Sequence, residues 1–143
     1  MVNINQLNSD IFNKLKKFIE IDNKNNNHNA QVRDCVIENK SPLIIFKNRS
    51  NVERYSSKDM YGIERTRYLS YEIIIRAKDD IANNVSSVKI CDDLEQMVTY
   101  IMQYCYRMQG GTDAKIQKIN GSGVSQYTLH FSCEWLMNRN IIY

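Results

Sequence analysis

From Ile63 to Ala77 the chain alternates. Leu69, Tyr71, Ile73, Ile75 and Ala77 fall on one side, and Tyr68, Ser70, Glu72, Ile74 and Arg76 on the other. A period of two is the period of a strand, and β-branched and aromatic residues fill most of both rows. Lys78-Asp79-Asp80 closes the run. A strand with so apolar a row must have that row covered. A second alternation lies near the C-terminus, with Tyr127, Leu129, Phe131, Cys133 and Trp135 against Gln126, Thr128, His130, Ser132 and Glu134. Ahead of it, Asn120-Gly121-Ser122-Gly123 is a hairpin turn signal, and Ala114 to Asn120 is the strand expected before that turn. Leu43 to Phe46 is a further strand, opened by Pro42, where a missing N–H is tolerated. Val32 to Glu38 is a short candidate strand.

Two amphipathic helices supply the cover. Ile4, Leu7, Ile11, Leu15 and Phe18 step by three or four, with Asn3 as N-cap, and the pattern ends near Ile21. The polar run Asp22 to Asn29, which contains His28, reads as an exposed loop. The second helix is capped by Ser86 or Ser87, and Asp92, Asp93 and Glu95 are expected in its first turns, where they favour the dipole. Ile90, Leu94, Met97, Val98, Ile101, Met102, Cys105 and Met108 form its apolar stripe, and Gly110-Gly111 is the expected stop.

This order predicts an α+β fold: an antiparallel sheet of four to five strands, with both helices packed on one face and a projecting β-arm. Residues 48–60, NRSNVERYSSKDM, are polar with few apolar anchors and read as the tip and flanks of that arm or as a mobile loop. The uncovered face of the sheet carries Tyr68, Ser70, Glu72, Arg76, Gln126, Thr128, His130 and Glu134, with no partner for His130 legible in the sequence. Such a face suits a wet surface or the wall of a channel.

The 143 residues make one domain, long enough to bury a core without disulfides or a structural metal. A net charge of +3 gives no electrostatic case for a nucleic-acid binder. No run approaches the ~18 apolar residues of a membrane span. The start, MVNINQLNSD, lacks the basic and apolar regions of a signal peptide, so the chain is expected to stay where it is made or to leave with an assembly. Cys35, Cys91, Cys105 and Cys133 form no CxxC pair and are expected as buried thiols.

Catalytic motifs are scarce. The chain has no GxSxG, Walker loop, GxGxxG or HExxH, and only two histidines. Asp79-Asp80 reads as a loop and Asp92-Asp93 as helix charge. Glu38-Asn39-Lys40, with Asp34 upstream, matches half of a metal-dependent nuclease core, but a three-letter match is at chance level. Arg54-Tyr55 and Arg65-Thr66-Arg67-Tyr68 could serve as aromatic platforms for single strands, yet Glu53, Asp59, Glu64 and Glu72 balance their charge. No enzyme activity, cofactor or metal is expected.

The layout of helix, β-hairpin with a long arm, second helix and closing antiparallel strands resembles the tail terminator (tail completion) proteins of tailed bacteriophages and phage-tail-like particles. The likeness runs from Ile4 to Trp135. It is strongest in RYLSYEIIIRAKDD, Arg67 to Asp80, followed by the helix from Val88 to Met108. The resemblance implies a structural virion protein of the tail or neck, assembled in the host cytoplasm. Such proteins form a ring, usually a hexamer, that ends tube polymerisation and presents the head-joining surface. The implied partners are further copies of the chain, the tail tube protein, the head–tail connector, a sheath protein if the tail is contractile, and DNA passing through the bore, with no membrane. The subunit and partner interface would use Arg49, Arg54, Tyr55, Lys58, Tyr61, Arg65, Arg67, Ile141 and Tyr143. The bore would be lined by Glu72, Arg76, Gln126, His130 and Glu134. A head–tail connector or stopper is the alternative, with a small metal-dependent nuclease behind it.

Overall fold

The computed structural model describes residues 4–26, 30–33, 41–59, 62–82, 84–136 and 141–142, with the backbone alone over 49–67 and from 135 onward. The elements are α1 (Ile4–Asn26), β1 (Gln31–Arg33), β2 (Leu43–Asp59), β3 (Gly62–Lys78), α2 (Ser87–Tyr100), β4 (Gln109–Ile116), β5 (Val124–Leu136) and β6 (Ile141–Ile142). The fold is α+β. Its sheet runs β1-β2-β3-β5-β4, and β6 adds to the end of β5. Every pairing is antiparallel except that of β1 with β2.

The alternating run is β3, at the centre of the sheet. It pairs with β2 from Asp59↔Gly62 to Leu43↔Arg76 and with β5 from Thr66↔Leu136 to Lys78↔Val124. Its inward row, Leu69 to Ala77, is buried together with Tyr127, Leu129, Phe131 and Cys133 of β5. Both helices close over this face, so their apolar stripes and the two inward rows form a single core. Each such side chain stabilises the fold by about 1.5–3 kcal/mol through burial.

Three tyrosines tie this layer to the helices. Tyr71 of β3 donates to Asn8 of α1 at 2.6 Å, and Tyr127 of β5 donates to Asp92 of α2 at 2.6 Å. Tyr106, just past α2, donates to Asp10 of α1 at 2.6 Å. Burial pushes the Tyr127 phenol up to about 12, with Asp92 adding to the shift. It raises the Tyr71 and Tyr106 phenols further still. All three therefore stay protonated donors. Phe46 of β2 stacks on Tyr71, with centroids 5.3 Å apart.

Several expectations shift. On α1 the buried row is Leu7, Ile11, Leu15 and Ile19, with Phe18 half-buried beside it. The helix continues through the polar run to Asn26. There the Asn23 side chain accepts from the Ala30 N–H at 2.9 Å and donates to the Ala30 carbonyl at 3.0 Å, which closes the turn onto β1. Asn3, His28 and the second part of the Val32–Glu38 strand lie outside the described residues.

Ser86 caps α2, its hydroxyl accepting from the Lys89 N–H at 3.2 Å. The first turn holds no acidic residue. Asp92, Asp93 and Glu95 sit deeper and serve side-chain partners instead, Glu95 pairing with Lys115 at 3.3 Å and Asp93 with Lys89 at 3.1 Å. The helix does not run to the glycines. It widens into a π-turn over Ile101–Cys105, and Arg107 then turns the chain at φ 53°. Gly110 and Gly111 belong to β4, which starts and ends earlier than the predicted strand. The expected hairpin from β4 to β5 closes through a short 3-10 turn, Ile119–Gly121.

Of the described cysteines, Cys91 and Cys133 are buried thiols, but Cys105 is exposed, because the π-turn rotates it off the buried stripe. Burial pushes the Cys91 thiol up to about 12 and that of Cys133 up to about 11. Among the described residues no helix is long and apolar enough to cross a membrane.

Asp79 locks the end of β3 to two later segments. Its carboxylate accepts from the Ser87 N–H at 2.7 Å, and its own N–H donates to the Gly123 carbonyl at 2.6 Å. The Ser87 hydrogen bond is the largest cause of an Asp79 carboxyl held below its ordinary value. That stabilisation is complete above the unfolded-state pKa and disappears as pH falls through the lowered folded value. Asp79→Asn should therefore lower the melting temperature by a constant amount near neutral pH. The gap to the parent should narrow below roughly pH 4, as thermal melts across pH will check.

Gly110 sits at φ 128°, and a Cβ there would lie 2.0 Å from the His130 carbonyl oxygen. At Gly111 a Cβ meets nothing within 4 Å. Gly110→Ala should thus cost roughly 2 kcal/mol or more by straining the backbone and parting β4 from β5. Gly111→Ala should leave the denaturant midpoint almost unchanged.

Candidate functional site

The face of the sheet opposite the helices is built from the outward rows of β3 and β5. Register sets Tyr68 beside Glu134, Ser70 beside Ser132, Glu72 beside His130, Ile74 beside Thr128 and Arg76 beside Gln126. All five residues expected to line a bore, Glu72, Arg76, Gln126, His130 and Glu134, lie on this face. Two of the rungs join them in pairs, Glu72 with His130 and Arg76 with Gln126. Glu134 stands near the other end of the strip from Arg76.

The face is not wet throughout. Leu43 and Ile45 of β2 pair with Arg76 and Ile74, so they point away from the helices, yet each is only 1% exposed. The run Leu43-Ile44-Ile45-Phe46 is apolar in both rows, which is how a strand buried on both sides reads. On β2 the polar strip therefore begins only at Lys47, which pairs with Glu72, and it continues on β3, β5 and β4.

His130 is the centre of that strip. Its Nε2 lies 3.0 Å from Glu72 Oε2, and its Nδ1 lies 3.1 Å from Asp113 Oδ2. Asp113 is the extra residue of a β-bulge between Thr112 and Ala114. The imidazole thus links three strands edge to edge. A neutral ring can donate to only one of the two carboxylates, and a protonated ring donates to both. Because the carboxylates approach opposite ring nitrogens, they do not converge with the imidazole on one point, and no position within reach of all three would suit a metal ion. Among the described residues neither nitrogen has a hydroxyl as its hydrogen-bond partner. The described residues contain no group of three metal-ligating side chains.

A shallow depression of about 470 Å³ adjoins the strip, between Ser70, Ser132, Asp113 and the glycines of β4. A second of the same size continues toward Tyr68 and Glu134. The reason lies in the ladder. β4 pairs with β5 only as far as Ser132, and β6 pairs with it only from Trp135, so the β5 edge at Cys133 and Glu134 forms a notch.

The arm is a two-stranded ribbon. Arg49 is the extra residue at a bulge, Arg54 faces Thr66, Tyr55 faces Arg65 and Glu53 faces Arg67, while Lys58 lies at the second irregularity. Among the described residues β3 has β2 alone as a partner before Thr66, so residues 55–59 and 62–65 extend past the described rungs of β5. Tyr61 and Tyr143 lie outside the described residues, as do Asp34, Glu38 and Lys40. Ile141 pairs with Leu136, so its main chain is used within its own chain.

Nothing in the sequence signals the His130 cluster. Glu72 and Asp113 are 58 and 17 residues from His130, and the bulge that supplies Asp113 carries no turn motif. The chain matches no protein-family profile and no curated protein.

Glu72 is much the less exposed carboxylate, its side chain at 13% against 66% for Asp113. Solvent screens the second contact more than the first. Double-mutant cycles should give a Glu72–His130 coupling of roughly 0.5–1 kcal/mol and an Asp113–His130 coupling below about 0.5 kcal/mol. Urea titrations of Glu72→Gln, Asp113→Asn, His130→Ala and the pairs will measure both.

Proposed function

We propose that the chain is a structural virion protein that assembles into a ring capping the head-proximal end of a phage tail tube. The observation that carries this reading is the ribbon formed by residues 55–59 and 62–65, which extends past the last described rung of β5. Five residues of strand reach roughly 15 Å. A lone two-stranded ribbon is at best marginally stable in water, so a surface on a neighbour would hold it. Its sequence is too polar to fold back onto its own core.

The remainder of the molecule is consistent with that role. An arm that engages a different patch on the next copy makes a heterologous contact, which closes into a ring when the rotation allows. The polar strip with Glu72, Arg76, Gln126, His130 and Glu134 would face the bore. Its mixed charges would let DNA slide without binding it firmly. The ring would meet the tail tube protein on one side and the head–tail connector on the other, with a sheath protein as neighbour in a contractile tail.

Joining Arg54 to Thr66, which face each other, through an Asn-Gly turn removes the ribbon and keeps the sheet. The shortened chain should keep its circular dichroism spectrum and run as a monomer by light scattering, where the parent forms rings. An intact ring without the ribbon would sink the clasp. Deleting the gene should produce tails of irregular or excessive length apart from filled heads. Tails of normal length beside unattached heads would point to a connector instead, and normal infectious particles would end the morphogenetic reading.

A further inference from the structure

β4 lies at the margin of the sheet, with β5 as its ladder partner. All of its residues but Gly111 are exposed, and the bulge at Asp113 interrupts its ladder between Thr112 and Ala114. A strand with so little buried surface opens locally at low cost, so its side-chain ties decide how firmly it lies. On the helix side Thr112 and Lys115 both bind Glu95 of α2. On the outer face the described tie is the one between Asp113 Oδ2 and His130 Nδ1, at 3.1 Å.

That outer tie depends on a proton. A protonated imidazole carries an N–H on both nitrogens, so Glu72 and Asp113 each accept a charge-assisted hydrogen bond. A neutral ring has one N–H to give. The Glu72 side chain is 13% exposed and that of Asp113 66%, so water can replace the donor at Asp113 far more readily than at Glu72. The remaining N–H therefore stays on Nε2, facing Glu72. Nδ1 is then a bare lone pair facing a carboxylate oxygen, and two acceptors at that distance repel. Asp113 turns out into solvent, and the bulge loses its hold on this face.

We propose that His130 is a proton-operated catch for β4: charged, it fastens the bulge at Asp113 to the sheet, and neutral, it keeps Glu72 and releases Asp113. The charged groups around the ring among the described residues are Glu72 on β3, Asp113 on β4, Lys47 on β2 beyond Glu72, and Glu134 two rungs along β5. Ordinary carboxylates and lysines keep their charge from about pH 5 to pH 8, an interval in which an imidazole changes its own. The catch is accordingly closed at the acid end of that interval and opens as pH rises. Asp113 and His130 both border the depression of about 470 Å³, so opening the catch also reshapes its rim. The catch stands whether or not the chain forms a ring.

The test is NMR of the full isotope-labelled chain at about pH 5.5 and about pH 8. At the higher pH the ring nitrogen shifts of His130 should report a proton on Nε2 alone, and the χ1 couplings of Asp113 should pass from one rotamer to an average. Amide protection over residues 112–115, corrected for intrinsic exchange, should fall about twofold. In Asp113→Asn the new amide can donate to the bare Nδ1, so protection should instead rise with pH. His130→Gln should show no pH response in these residues. A neutral ring protonated on Nδ1, an Asp113 rotamer that is the same at both pH values, or a response of the parent's sign in either variant would overturn the catch.

Discussion

Everything in this fold depends on β3 having a paired strand on both edges while one of its rows is wholly apolar. The ladders to β2 and β5 satisfy its backbone groups. The row Leu69, Tyr71, Ile73, Ile75 and Ala77 then demands a cover, and the cover is both helices. Because successive side chains alternate, the same pairing commits Ser70, Glu72 and Arg76 to the other face. A slip of one residue in register would exchange the two rows, so burial of one row holds the other in place.

Apolar burial fixes which faces meet but leaves helices free to slide. The tyrosines remove that freedom. Tyr71, Tyr127 and Tyr106 each bury a ring and donate a hydrogen bond to a polar side chain on α1 or α2. Each bond is directional and would leave a buried hydroxyl unpaired if the helix moved. At the opposite end of β3, Asp79 does the same with the start of α2 and the turn before β5. Ser87 and Ser125, both fully buried, sit 2.8 Å apart beside it. The body is thus pinned at both ends, which suits a rigid unit from which a ribbon projects.

The ribbon and the polar strip are the parts the fold leaves unused. Residues 55–59 and 62–65 pair with no described residue of β5, and the strip around His130 lies on the face opposite the helices. Features that a domain does not need for its own stability are where assembly functions are carried.

The sequence by itself determined the α+β class, the central strand, the closing hairpin, both helical stripes and the paired outward rows that hold Glu72, Arg76, Gln126 and His130. These follow from period and local chemistry, which neighbouring residues share. Only the tertiary structure decided the rest. It placed Asp113 against His130 through a bulge and gave Asp92 and Glu95 tertiary partners in Tyr127 and Lys115. It also ended α2 in a π-turn that exposes Cys105 and Tyr104, and it turned Gly110 from a helix stop into a strand residue pressed on the His130 carbonyl. The π-turn apart, the partner in each case is distant in the chain, so no local pattern encodes it. What selects these contacts is the packing of one element on another, which exists only once the chain has folded.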